Sequence, residues 1–132
     1  MNYDDRSWGT LPVPGNWELN GYGDPTYVNV GFAWRYQYKG GVYLGWKPEY
    51  APENATKTSV PVKDNHVGSY RRVIDLPASW DGKQVIAHFG SVTSNMYLFD
   101  NGKYVGYTED SKVAAEFDIT KYLHPGKNLI AF

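Results

Sequence analysis

The sequence predicts an all-β protein, a sandwich or jelly roll of short antiparallel strands. Three observations point there. Residues 69–132 alternate short apolar runs with turn signals, the spacing of a sandwich rather than of βαβ units. Asn101-Gly102 sits between two alternating runs, the strongest short hairpin signal, because a type I′ turn needs positive φ at both central residues. No stretch sustains a 3.6-residue period of apolar positions. With 14 Gly and 8 Pro in 132 residues, the chain has the turn residues such a fold needs.

The elements follow in order. Residues 11–30 are punctuated by Pro12, Pro14, Gly15, Gly21, Gly23 and Pro25, which leaves a loop with at most a short strand near residues 27–30. Residues 31–65 are expected to be irregular as well, around Gly40-Gly41, Pro48, Pro52 and Pro61. Residues 1–65 are thus a mostly irregular N-terminal segment, and 66–132 form the main strand-bearing part of one domain. Structureless segments this long are uncommon in compact domains and are often functional. Tyr70–Leu76 reads as a strand closed by Pro77, and Trp80-Asp81-Gly82 as a turn. Strands follow at 84–89, 95–99 and 103–108, with a short one at 115–118. Thr120–Leu123 has room for one helical turn before His124-Pro125. The turn signal Pro125-Gly126 then precedes a last apolar run, 128–132. A strand running to the last residue suggests a fragment, incomplete at its C-terminus. Missing neighbour strands would leave open edges and exposed apolar surface. Edge-mediated self-association and marginal stability are therefore expected.

Composition removes several function classes. Thirteen basic and 14 acidic side chains balance, so neither nucleic acid nor an anionic membrane is an expected partner. No apolar stretch is long enough to span a bilayer. The polar start, Met1 to Arg6, shows no signal-peptide pattern, and the compartment stays open between cytoplasm and periplasm. The absence of cysteine rules out disulfides and thiol catalysis. The unusual quantity is 17% aromatic residues, with 12 Tyr and 5 Trp. Rings with an apolar face and a polar tip suit carbohydrate, and they also suit β-sandwich cores.

Local chemistry is sparse. Glycoside hydrolysis needs two carboxyl groups facing each other across a cleft, and the densest acidic clusters are Glu109-Asp110 and Glu116/Asp118. Acidic residues at a strand end more often satisfy turn amides. His66, His88 and His124 are far apart and share no local metal spacing; His88, inside a strand, reads as a packed residue. There is no G-x-S-x-G elbow, P-loop or G-x-G-x-x-G. Asn54-Ala55-Thr56 matches the N-glycosylation acceptor pattern. From the residues alone the chain is an aromatic-rich β-sandwich with a binding or scaffold role. A stand-alone carbohydrate-binding module would show a flat platform of surface rings.

Four segments together are more specific: residues 13–30 (VPGNWELNGYGDPTYVNV), 64–72 (DNHVGSYRR), 89–112 (FGSVTSNMYLFDNGKYVGYTEDSK) and 116–132 (EFDITKYLHPGKNLIAF). Their order and spacing resemble the N-terminal domain of glycoside hydrolase family 2 β-galactosidases. The likeness covers most of the chain and is weakest over 31–63. It implies a jelly-roll, galactose-binding-domain-like fold and a "sugar-binding" domain that packs on the catalytic barrel. In that family both catalytic glutamates lie in a (β/α)₈ barrel later in the chain. The segment is therefore expected to carry no catalytic residue, no metal and no cofactor. A divalent-cation requirement is left open for the parent enzyme.

The resemblance also implies a substrate contact. A family turn of Val-Asn-Ser type helps wall the galactose subsite, and here it reads Val92-Thr93-Ser94. Thr93 stands where the family has its sugar-contacting Asn. Thr offers one hydroxyl, whereas Asn offers an acceptor and two donors. Thr93, Ser94 and Asn95 are the candidate contacts to a galactoside in the parent enzyme. A second family contact, an Asp, lies past the strand that begins at Asn128. Relatives also cleave β-glucuronides and β-mannosides.

Overall fold

The computed structural model describes residues 3–23, 38–39, 42–43 and 66–132. Residues 2–67 and 68–132 form two compact units. In the first, the described N-terminal stretch, residues 3–23, has no strand. Asp4 pairs with Arg6 at 2.7 Å, and Tyr3 tilts against Trp8 at 5.5 Å. A 3-10 turn spans Glu18–Asn20 and ends at Gly21. The left-handed φ of Gly21, 87°, suits a residue without Cβ. One difference from expectation falls in the stretch read as irregular. Strands β1 (Tyr38–Lys39) and β2 (Val42–Tyr43) pair antiparallel, with Tyr38 opposite Tyr43. Gly40-Gly41 lies between them in sequence, a hairpin dipeptide. The short strand expected near 27–30 and the Asn54 acceptor pattern lie outside the described residues.

The second unit is an all-β sandwich. Its strands are β3 (Arg71–Leu76), β4 (Ile86–Phe89), β5 (Asn95–Asp100), β6 (Lys103–Glu109), β7 (Ala115–Asp118) and β8 (Gly126–Ala131). One sheet runs β3-β8-β5-β6 and the other pairs β4 with β7, all antiparallel. The strand between Tyr70 and Leu76 starts one residue late, yet Tyr70 and Phe132 still exchange both backbone hydrogen bonds, at 2.7 and 3.0 Å. The expected helical turn is a 3-10 turn at Thr120–Tyr122.

Alternation decides what is buried. On β5 Met96, Leu98 and Asp100 face inward, while Asn95 and Tyr97 are exposed. On the facing sheet Ala87, Phe89 and Phe117 turn in, and Ile86, His88, Glu116 and Asp118 turn out. Met96, Leu98 and Ile119 form the buried centre, with Phe89, Val92, Phe117 and Ile130 packed around it. Burying a side chain such as Leu98 contributes about 1.5–3 kcal/mol. Phe89 makes edge contacts with Phe117 and Phe132. Gly106 lets the sheets approach, since a Cβ there would lie 2.7 Å from the Phe117 ring. Asn101 (φ 49°) and Gly102 (φ 77°) make the expected turn.

The β5–β6 register shifts at Leu98/Phe99 and leaves Val105 as the extra residue of a bulge. Because of that residue Tyr104 and Tyr107, three apart, share one face. They pair with Phe99 and Tyr97, respectively. Without the bulge their side chains would point to opposite faces.

Candidate functional site

The loop joining β4 to β5 crosses from one sheet to the other at one end of the sandwich. It carries Ser91, Val92, Thr93 and Ser94, and Asn95 opens β5. Val92 is half-buried against the core and anchors the loop from below. The Ser91 hydroxyl donates to the Ser111 carbonyl at 2.5 Å, which ties the loop to the β6–β7 connection. That second loop begins at Asp110, left-handed at φ 89°. The Asp110 carboxylate accepts from the Lys112 N–H at 3.4 Å, the turn role expected of it. The Thr93–Ser94 peptide is cis.

The three candidate contact residues are thus adjacent in space as well as in sequence. All three are exposed. Among the described residues none of their side chains makes a hydrogen bond, so their donors and acceptors face water. Asn95 lies opposite Glu109 across the β5–β6 ladder. The Tyr107 hydroxyl donates to Glu109 Oε2 at 2.7 Å, and this bond raises the Tyr107 pKa. Sequence reading did not place Tyr107 and Glu109 beside Asn95. The bulge at Val105 sets the register that brings them there.

The acidic clusters do not form a catalytic pair. Glu109 lies on the outer face of the larger sheet, and Glu116 and Asp118 lie on the outer face of the smaller one. Carboxylates on opposite faces cannot flank one glycosidic bond. Asp118 is committed to structure. Its Oδ1 accepts from the Thr120 N–H at 3.0 Å and its Oδ2 from Gln84 at 2.8 Å. Hydrogen bonds from Thr120 and Gln84 hold its pKa below the usual carboxylate value. His88 is a correction to the sequence reading. It is not packed but exposed on the outer face, with Nδ1 3.0 Å from Glu116 Oε1. The run Val85-Ile-Ala-His-Phe is apolar in both phases, so alternation alone did not fix which face turned in. Among the described residues no three His, Asp or Glu side chains gather to hold a metal.

The exposed rings of the larger sheet were the other carbohydrate candidate. Tyr97 is 56% exposed. It lies 4.8 Å from Tyr107 and 6.5 Å from Tyr104, with interplanar angles of 48° and 45°. Rings tilted this far do not make the flat platform on which a sugar chain would stack.

The opposite end of the sandwich is built differently. Asn128 is 1% exposed. Its amide nitrogen donates to the His124 and Gly126 carbonyls at 2.7 and 2.9 Å. Its Oδ1 accepts from the His124 N–H at 3.0 Å and from Asn101 Nδ2 at 2.8 Å. Asn101 also donates to the Tyr122 carbonyl at 2.9 Å and accepts from the Leu129 N–H at 3.0 Å. Next to it Asp100, 1% exposed, has neither carboxylate oxygen hydrogen-bonded. Burial raises its pKa, with His124 and the Asn101 N–H pulling the other way.

The family model described as "Glycosyl hydrolases family 2, sugar binding domain" matches residues 3–132. A β-galactosidase of Priestia megaterium is 38% identical over 126 residues, 96% of this chain and 11% of the relative. The β-galactosidase large subunit of Lactobacillus helveticus is 37% identical over 133 residues, 98% of this chain and 20% of the relative. Among solved structures, a β-glucuronidase from an uncultured Clostridium aligns with 50% of this chain and 12% of its own, at 29% identity and a TM-score of 0.47. The chain therefore spans about a tenth to a fifth of the length of these curated relatives. It belongs to the sugar-binding domain family of the family 2 glycosyl hydrolases.

Proposed function

We propose that this chain is the non-catalytic N-terminal domain of a β-galactosidase that hydrolyses terminal β-D-galactosides. In that enzyme it packs on the catalytic barrel, and its β4–β5 loop walls the galactose subsite. One observation carries the proposal. Thr93, Ser94 and Asn95 are exposed with unengaged side chains, on a loop fixed by the Ser91–Ser111 hydrogen bond and the half-buried Val92. A rigid loop that presents free hydroxyl and amide groups can orient a sugar without reacting with it. The tilted tyrosines weigh against an extended stacking platform on the larger sheet.

The test is made in the whole enzyme. A hydrogen bond between Thr93 and a sugar hydroxyl is worth about 0.5–1.5 kcal/mol. Thr93→Ala is therefore expected to lower kcat/KM by roughly 2- to 10-fold. Thr93→Asn, which has more donors and acceptors, is expected to preserve or raise it. Unchanged kcat/KM in both variants would sink the contact.

A second part of the proposal concerns the isolated chain. Among the described residues β4 and β7 have one strand neighbour each, and β6 has one, β5. Unpaired edges template association, so light scattering of the isolated chain is expected to show species larger than a monomer that grow with concentration. A concentration-independent monomer would refute this.

A further inference from the structure

A cleft lies at the end of the sandwich away from Thr93, where β3 and β7 finish and β4 and β8 begin. Its lining includes Leu76, Trp80, Asp81, Lys83, Leu123 and His124. Trp80 is 46% exposed, the highest value among the described tryptophans. Its backbone is held on both sides: its N–H donates to the Pro77 carbonyl at 2.9 Å, and its carbonyl accepts from the Lys83 N–H at 3.0 Å. The indole is thus presented from a fixed 3-10 turn, Ala78–Trp80. Neither the ring nor the side chains of Asp81 and Lys83 make a hydrogen bond to the described residues. His124 Nδ1 lies 3.1 Å from the Pro125 carbonyl. A carbonyl only accepts, so Nδ1 donates there and Nε2 is left over.

We infer that this cleft is a subsite for one neutral pyranoside ring, separate from the Thr93 loop. An exposed indole stacks on the C–H face of a sugar, and the polar tips around it meet the hydroxyls. Asp81 supplies acceptors, Lys83 supplies donors, and His124 Nε2 supplies a further polar atom. The Asp81 and Lys83 charges cancel, which suits a neutral polyol better than a phosphorylated or acidic sugar. Trp80 is the one indole or phenyl ring in the lining, so one sugar ring is accommodated rather than a chain.

The experiment is a titration of the 132-residue chain, at a dilution where light scattering shows the monomer, with methyl β-D-galactopyranoside and, separately, methyl β-D-glucopyranoside, followed by ¹H–¹⁵N NMR. The Trp80 indole N–H and the Gly82 amide are expected to shift together, with half-saturation at about 1–10 mM, the weak range for a single ring. Trp80→Ala should weaken the Gly82 shift at least about tenfold, and Asp81→Asn should weaken it several-fold. Thr93→Ala should leave it unchanged, which separates this subsite from the loop contact proposed above. Should Trp80→Ala lose its dispersed amide spectrum, Trp80→Phe and Asp81→Asn carry the test, since the first keeps an aromatic ring in the site and the second keeps its volume. Absence of any Trp80 shift overturns the inference. So do shifts confined to residues 90–95, and binding that persists undiminished in the Trp80 and Asp81 variants.

Discussion

At one end of the sandwich Asn101 and Asn128 turn their amides inward and spend them on the chain's own backbone. At the other end Thr93, Ser94 and Asn95 leave theirs in water. The residue types are similar, and the difference comes from what the backbone demands. Between Tyr122 and Leu129 the chain turns from a 3-10 element into β8, and the Tyr122 and His124 carbonyls and the His124 N–H lie outside any strand. Buried groups of that kind must be satisfied. The β4–β5 loop is exposed, so water satisfies its backbone and its side chains need not. The first end is built to hold the fold. The second is free to hold something else.

The largest expected effect tests that division. Asn128→Ala removes four hydrogen bonds and leaves the His124 and Gly126 carbonyls without their side-chain donor. A loss of about 2–4 kcal/mol is expected from thermal or urea melts. Asn95→Ala, at the other end, should stay within about 0.5 kcal/mol. Equal losses at both positions would break the comparison.

How much of this was legible in the sequence depends on the range of the signal. The Asn101-Gly102 hairpin is local and was readable from two residues. The strands of the second unit were readable to within two residues, because their apolar runs are bounded by Pro, Gly and Asp. Thr93, Ser94 and Asn95 were singled out through family likeness, not chemistry, since an exposed Thr-Ser-Asn looks like any turn. Asn128 escaped notice because it stands at the head of an apolar run and its partner Asn101 is 27 residues away. The Val105 bulge escaped because Lys-Tyr-Val-Gly-Tyr fits either alternation phase, and only the partner strand selects one. The facing of His88 was misread for the same reason.

Asp100 gives the next largest effect and sharpens the picture of the structural end. Its carboxylate is buried without a hydrogen bond, so the folded state favours the protonated form and the pKa is raised. The unfolded value is about 3.9. Between that value and the raised folded one, the folded state holds more protons than the unfolded state, so stability falls as pH rises. Above the window the cost of the buried charge persists in full, offset in part by His124. Asp100→Asn should therefore raise stability at neutral pH, read as a higher Tm than wild type. The gain should fade as pH falls through the raised folded value, where the wild-type carboxyl also becomes neutral. An unpartnered amide limits the improvement. A gain that does not depend on pH would assign the cost to shape rather than charge.

The smallest effect belongs to the exposed end and asks whether its polar groups are as idle as they look. The hydrogen bond from the Tyr107 hydroxyl to Glu109 stabilises the protonated phenol and raises its pKa. The folded value then exceeds the unfolded one, about 10. The contribution is fully present below that pH and is lost as pH rises through the folded value. Glu109→Gln keeps an acceptor for the hydroxyl and removes the charge. Tyrosinate absorbance, with Tyr107→Phe to identify the residue, should show Tyr107 titrating closer to its ordinary value in the Gln variant, with no change in Tm at neutral pH. The Glu109 charge is then an electrostatic feature beside Asn95 and not a support of the fold. A marked fall in Tm would give this end a structural duty like the other's, and the case for a loop left free to meet substrate would weaken with it.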